Sequence, residues 1–232
     1  MSYQLTIEPL GTTIEVNEGQ TMLDAALRHG IYLPHACGHG LCGSCKVQVC
    51  GGEVDHGAAN PFALLDFEKD EGKTLACCAT LQDDVTIEAD IEEEPDAQII
   101  PVQDFSAVVS KIIDLTPTIK AVYLRLSKAM HFQAGQYVQI SMPASSGLEG
   151  SRAFSIANSP QEVAQTNEIE LNVRIVPNGA MTSFIHQHLK VGDEFAREIA
   201  DKGDDIALII VAGMNYASFV QSETRDVIKG ST

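Results

Sequence analysis

The chain has 232 residues, 44% hydrophobic and 20% charged, with 32 acidic against 15 basic residues and a formal net charge of −17 at pH 7. That length allows one or two domains with ample cores, and the acidity excludes a nucleic-acid partner, whose phosphates call for basic surface. No apolar stretch reaches the span of a bilayer and no basic segment leads into a hydrophobic core at the amino terminus, so the expectation is a cytoplasmic protein without a membrane partner.

Tyr3–Ile7 and Thr13–Val16 alternate as the strands of a hairpin, and Thr21–Arg28 reads as a helix closed by Gly30. Cys37, Cys42 and Cys45 follow with C-x4-C-x2-C spacing, and Cys77 comes after 31 further residues. This is the ligand spacing of a plant-type [2Fe-2S] cluster. Two irons bridged by two sulfides need two thiolates each, so a tight loop wraps the cluster while a remote segment completes it. Gly38, Gly40, Gly43 and Ser44 lie among the local cysteines, where positive φ is tolerated and amides are free to point at sulfur. A structural zinc site reads as two separated C-x2-C pairs, and a disulfide framework belongs to small secreted domains; neither fits. Leu75-Ala76-Cys77-Cys78 leaves two candidates for the last ligand, because neighbours on an extended segment point to opposite sides. Cys50 and whichever of Cys77 and Cys78 is not a ligand read as small buried hydrophobes.

Lys46–Val49, Thr74–Ala76 and Val85–Ala89 supply further short strands, so the first part reads as a small α+β roll around one helix. Residues 1–96 hold 18 acidic and 4 basic residues, whereas the remaining 136 hold 14 and 11. The acidity therefore belongs to the cysteine-bearing part and favours a basic docking surface on its partner. Glu92-Glu93-Glu94-Pro95-Asp96 and Pro101 mark a solvated linker. Beyond it, Ser106–Leu115, Ile119–Leu126, Gln136–Met142, Arg152–Ala157 and Glu168–Val176 form a succession of strands typical of an antiparallel barrel, with a helix over Ala180–Leu189. Ile206–Val211 reads as a buried parallel strand and Tyr216–Lys229 as a helix.

Residues 1–92 resemble the 2Fe-2S ferredoxin domain, a β-grasp-like α+β roll. In that family the last ligand follows an apolar residue by two positions, as Cys77 follows Leu75, which implies Cys37, Cys42, Cys45 and Cys77 as the cluster ligands. Arg152-Ala153-Phe154-Ser155 resembles the flavin motif of the ferredoxin-reductase family. The resemblance implies that Arg152 holds the pyrophosphate, that Phe154, in place of the commoner Tyr, lies against the flavin, and that Ser155 bonds its redox-active edge. Val173 and Arg174, with Gly179, Ala180, Met181 and Thr182 at the start of the next helix, match the positions that embrace the flavin nucleotide.

The order of ferredoxin domain (1–92), linker (93–102) and FAD-binding barrel (103–200) resembles the reductase component of multicomponent phenol hydroxylases and related aromatic monooxygenases. The resemblance implies a relay from NADH through FAD and the [2Fe-2S] cluster to a diiron hydroxylase. Residues 201–232 look like a truncated remnant, one β-α unit, of the α/β nicotinamide-binding domain that such proteins carry. Met214, Asn215 and Tyr216 follow Ala212-Gly213 where a glycine-rich turn belongs, and Ala196–Asp201 stands where a Gly-Pro-x-Gly stretch is expected. The first departure bears on the NADH step, and the second removes a stretch that contacts the flavin in the family. A ferredoxin-like carrier without flavin and a non-catalytic product are the alternatives.

Overall fold

In a computed structural model the described residues are 1–91, 100–141, 148 and 151–195, with 208–211 as backbone. The acidic run Glu92–Asp96, the stretches Ala196–Asp201 and Ala212–Tyr216, and the helix expected over Tyr216–Lys229 lie outside them. The chain divides into two compact units, Met1–Val102 and Gln103–Thr232.

The first unit runs β1 (Ser2–Glu8), β2 (Thr12–Asn17), α1 (Met22–Arg28), β3 (Lys46–Gly51), β4 (Val54–Asp55), α2 (Asp66–Asp70), β5 (Lys73–Leu75), β6 (Thr80–Leu81) and β7 (Val85–Glu88). Its main sheet has the order β2-β1-β7-β3-β5, and β4 and β6 form a separate pair. β1 and β2 are the expected hairpin, whereas β1 and β7 run parallel with Leu5 opposite Val85 and Ile7 opposite Ile87. Parallel strands need a long crossover, and here the crossover contains α1 and the cysteine loop. Alternation sends Leu5, Ile7, Ile14, Val16, Val85 and Ile87 to one face, where α1 covers them with Met22, Leu23, Ala25, Ala26 and Leu27; all are buried. Each fully buried Leu or Ile contributes roughly 1.5–3 kcal/mol.

α1 starts where Thr21 caps it, its Oγ1 accepting the Asp24 amide at 3.3 Å, and stops at Gly30, whose φ is +73°. α2 was not expected from the sequence. Glu68 folds back on the Leu65 amide at its amino end and meets Lys46 at 2.7 Å, so α2 is fastened to β3.

The second unit runs β8 (Asp104–Phe105), β9 (Ala107–Thr116), β10 (Ile119–Leu126), β11 (Tyr137–Ser141), β12 (Ser151–Ser155), α3 (Pro160–Thr166), β13 (Glu168–Arg174), α4 (Ala180–Gln187), β14 (Glu194–Phe195) and β15 (Leu208–Val211). Two antiparallel sheets, β13-β10-β9-β14 and β12-β11-β15-β8, enclose a core of Val109, Leu124, Val138, Ile140, Ile169, Leu171 and Phe195 among others. α3 was also missed, although Ser159, Pro160 and Glu162 spell its start: the Ser159 hydroxyl accepts the Glu162 amide at 3.2 Å.

The strand expected over Ile206–Val211 as the first member of a parallel sheet takes a different place. Its described part, β15, pairs antiparallel with β11, Ile140 opposite Leu208, and with β8, Leu208 opposite Phe105. A lone strand leaves two rows of peptide groups unpaired, and the edges of β11 and β8 supply partners for both.

Candidate metal centre and flavin site

The loop between α1 and β3 is shaped by glycines: Gly38, Gly40 and Gly43 all have φ near +70°, at +68°, +72° and +75°. Gly40 is the position where no other residue fits. A Cβ there would lie 2.6 Å from Cys78 Sγ and 3.2 Å from the Ala58 carbonyl oxygen, besides the strain of the left-handed backbone. The loop is closed by the Asn60 amide, which donates to the Gly40 carbonyl at 3.0 Å.

The remote segment is anchored from two sides. The Ala76 amide donates to the Cys45 carbonyl at 2.9 Å, and the unpaired amides of the first turn of α1, Met22 and Leu23, donate to the Ala79 and Ala76 carbonyls at 3.1 and 2.9 Å. Cys77 and Cys78 stand in a turn rather than on an extended strand, with the Cys78 and Ala79 amides both returning to the Leu75 carbonyl at 2.9 Å. The premise that neighbours here point to opposite sides is therefore corrected: the two sulfurs lie 3.7 Å apart on the same side of the turn.

The thiols singled out by their spacing act on one another's protonation: Cys37 is among the groups that lower the pKa of Cys42, and Cys77 heads those that raise Cys45. Among the described residues no three His, Cys, Asp or Glu side chains gather around one point as a single ion requires. Four cysteines at the C-x4-C-x2-C spacing with a remote fourth are instead the donor set of a binuclear cluster. Amides already aim at sulfur: Gly40 N–H donates to Cys77 Sγ at 3.2 Å and His39 N–H to Cys37 Sγ at 3.4 Å. Desolvation would raise the Cys42 thiol, yet hydrogen bonds from Ser44 and Cys37 outweigh it and bring the pKa down to about 6. Cys45 is pushed far up, first by its bond with the Cys77 thiol and then by burial. Four such thiols cannot all ionise side by side unless cations neutralise them, so these residues fit an iron–sulfur cluster. Cys50 is exposed and Cys78 half-buried.

His35, two residues before Cys37, is a member of this region that the sequence did not signal. It is buried, it donates from Nδ1 to the Leu33 carbonyl at 2.7 Å, and its Nε2 has no partner among the described residues. Burial lowers its pKa against the raising pull of that carbonyl, keeping the ring neutral.

In the second unit, β13 collects the flavin-motif positions. β12 carries Arg152 opposite Ile140 and Phe154 opposite Val138, so both occupy the same face of the strand. The chain then crosses to β13 through an Ile156–Leu171 bridge and through Asn158, whose side chain donates to the Glu168 carbonyl at 2.9 Å and accepts the Glu170 amide at 3.0 Å. α4 is hung on the same strand by His186 Nε2, 2.9 Å from the Val173 carbonyl oxygen. Arg152, Ser155, Arg174 and Ala180 are exposed, while Phe154 and Gly179 are half-buried.

Three of the expected residues are placed differently from what side-chain contact would require. Val173 and Met181 are buried in the barrel core. The Thr182 hydroxyl is engaged within its own loop, accepting the Val176 amide at 3.1 Å and donating to the Gly179 carbonyl at 3.2 Å. Val173 and Met181 are thus committed to the core and the Thr182 hydroxyl to the turn that opens α4.

Residues 5–82 match the 2Fe-2S iron-sulfur cluster binding domain and residues 106–198 the oxidoreductase FAD-binding domain. The chain is 51% identical, over 99% of its length, to the phenol hydroxylase P5 protein of Acinetobacter pittii (strain PHEA-2) and 50% identical, over 99%, to phenol 2-monooxygenase, reductase component DmpP, of Pseudomonas sp. (strain CF600). It spans 65% of the length of each of these relatives. Among solved structures, that of the Amycolatopsis reductase GcoB superposes with a TM-score of 0.76 at 30% identity, over 92% of this chain and 58% of that one.

Proposed function

We propose that the chain, which carries a 2Fe-2S cluster-binding domain and an FAD-binding domain, belongs to the reductases that join the two and conducts electrons from FAD through the cluster to a diiron aromatic hydroxylase. The observation that carries the proposal is the glycine-shaped cysteine loop, inside the cluster-binding domain, whose His39 and Gly40 amides donate to the sulfurs of Cys37 and Cys77. FAD, when bound, would supply two-electron hydride chemistry toward NADH, the donor the family resemblance implies, and the cluster one-electron chemistry.

In this reading Cys37, Cys42, Cys45 and Cys77 would hold the cluster. The Gly40 and His39 amides stabilise the charge on sulfur. Arg152 pairs with the pyrophosphate, the Phe154 ring supports the flavin, and the Ser155 hydroxyl meets its reactive edge. Val173, Arg174 and Gly179–Thr182 close around the nucleotide through backbone groups, and α4 directs its amino end to the phosphates. The hydroxylase partner follows from the relatives, which are named as components of phenol hydroxylases.

The test is an anaerobic visible spectrum of the purified protein before and after NADH, with iron, sulfide and flavin assayed on the same sample. Flavin and cluster bands that bleach with NADH support the whole relay. A cluster without flavin supports a ferredoxin-like carrier instead, and the absence of both overturns the proposal.

A further inference from the structure

The relay described above leaves Cys78 without a role, yet the fold treats it as a fitted part. Gly40 presents bare backbone to it, since a Cβ on Gly40 would come within 2.6 Å of the Cys78 sulfur. Gly57 does the same on the other side, where a Cβ would lie 2.5 Å from the Cys78 carbonyl oxygen. Held between these two glycines, Cys78 Sγ lies 3.7 Å from Cys77 Sγ, within the range of a sulfur hydrogen bond. The Gly40 amide reaches the same Cys77 sulfur at 3.2 Å.

Either sulfur of the pair is a possible donor while both are thiols. A Cys77 that ligates iron is a thiolate and has only lone pairs to offer, so a hydrogen bond between the two sulfurs can be donated by Cys78 alone. The direction of the bond is thereby fixed. We propose that Cys78 is a positioning residue that donates an S–H···S hydrogen bond to Cys77 and, together with the Gly40 amide, raises the reduction potential of the cluster. Donors to a ligating sulfur withdraw charge from it and favour the reduced, more negative cluster. The proposal rests on the assignment of Cys77, not Cys78, as the fourth ligand.

The test compares Cys78→Ala, which removes the donor, with Cys78→Ser, which keeps a stronger one, by anaerobic spectroelectrochemical titration of the cluster in the full chain. Iron and sulfide content is measured in parallel, with Cys77→Ala as the companion. The expected result is full cluster content in both Cys78 variants, a more negative midpoint in the alanine variant, and a midpoint at or above that of the wild type in the serine variant. An alanine variant with full iron and an unmoved midpoint, or a serine variant that moves with it to more negative values, would overturn the hydrogen bond. Loss of iron in both Cys78 variants while Cys77→Ala keeps it would instead overturn the ligand assignment. If the alanine variant alone fails to load, the serine variant decides: a midpoint at or above wild type supports the bond, and a more negative one refutes it.

Discussion

Single atoms decide whether the cysteine loop can form. At Gly40 two costs coincide, a backbone at φ +72° and a missing Cβ whose place is taken by Cys78 Sγ and the Ala58 carbonyl. The left-handed conformation alone costs an alanine about 1 kcal/mol, and moving Ala58 or Cys78 adds to it. Gly40→Ala is therefore expected to lower iron content and Tm together, and full iron with an unchanged Tm would refute the argument. Arg152 presents the opposite case, an exposed cation on β12 whose guanidinium, among the described residues, donates to the neighbouring Ser151 carbonyl at 2.7 Å. Its removal should leave the barrel intact. Losing one charge-assisted bond to a pyrophosphate is worth about 1.5–3 kcal/mol, roughly a 10- to 100-fold weaker hold on FAD. Arg152→Ala is expected to lose flavin on dialysis with an unaltered melting curve, and unchanged flavin retention would show that the pyrophosphate lies elsewhere.

Between elements, the junction that matters most for the cysteine loop is α2 against β3. The Lys46 ammonium 2.7 Å away, followed by the Leu65 amide, holds the Glu68 carboxyl below its ordinary pKa of 4.5. The folded state thus binds this proton less tightly than the unfolded chain does. The pair contributes its full stability above the ordinary carboxyl value and loses it as pH falls through the depressed folded value. In melting curves the Tm difference between wild type and Glu68→Gln should be level from about pH 5 to 7 and shrink below about pH 4.5; a difference constant down to about pH 3 would sink the assignment. α2 and α3 also show where sequence reading ran short. β1, β2, α1 and the long barrel strands announce themselves by period, because one face of each is buried. α2 has no buried residue and only five positions, so periodicity had nothing to report, whereas Ser159-Pro160 before Glu162 did carry a capping signal for α3. The ligand pattern was legible because loop chemistry dictates spacing. The approach of Cys78 to Cys77 was not, because it depends on a turn that hydrogen bonds from α1 and Leu75 create.

Charge is a property of the whole molecule, and it is unevenly shared: of the net −17, residues 1–96 carry 18 acidic against 4 basic residues. Thiolate ligation of two ferric irons and two sulfides leaves about two further negative charges on the same unit. A field of one sign over one unit speeds encounters with an oppositely charged surface and is screened beyond a Debye length of about 10 Å at 0.1 M salt. Around the loop some exposed residues are apolar. Leu41 lies within it, and Phe62 stands 93% exposed in the turn that Asn60 ties to Gly40. Encounter should therefore depend on charge and the final fit on these side chains. In stopped-flow transfer to a hydroxylase partner, the second-order rate is expected to fall several-fold between about 50 and 300 mM salt. Phe62→Ala should lower that rate at every salt concentration while leaving its salt slope and the cluster midpoint unchanged. A rate indifferent to salt would mean that the acidity only solvates the domain, and a Phe62 variant with a shifted midpoint would mean that the ring supports the cluster rather than the partner.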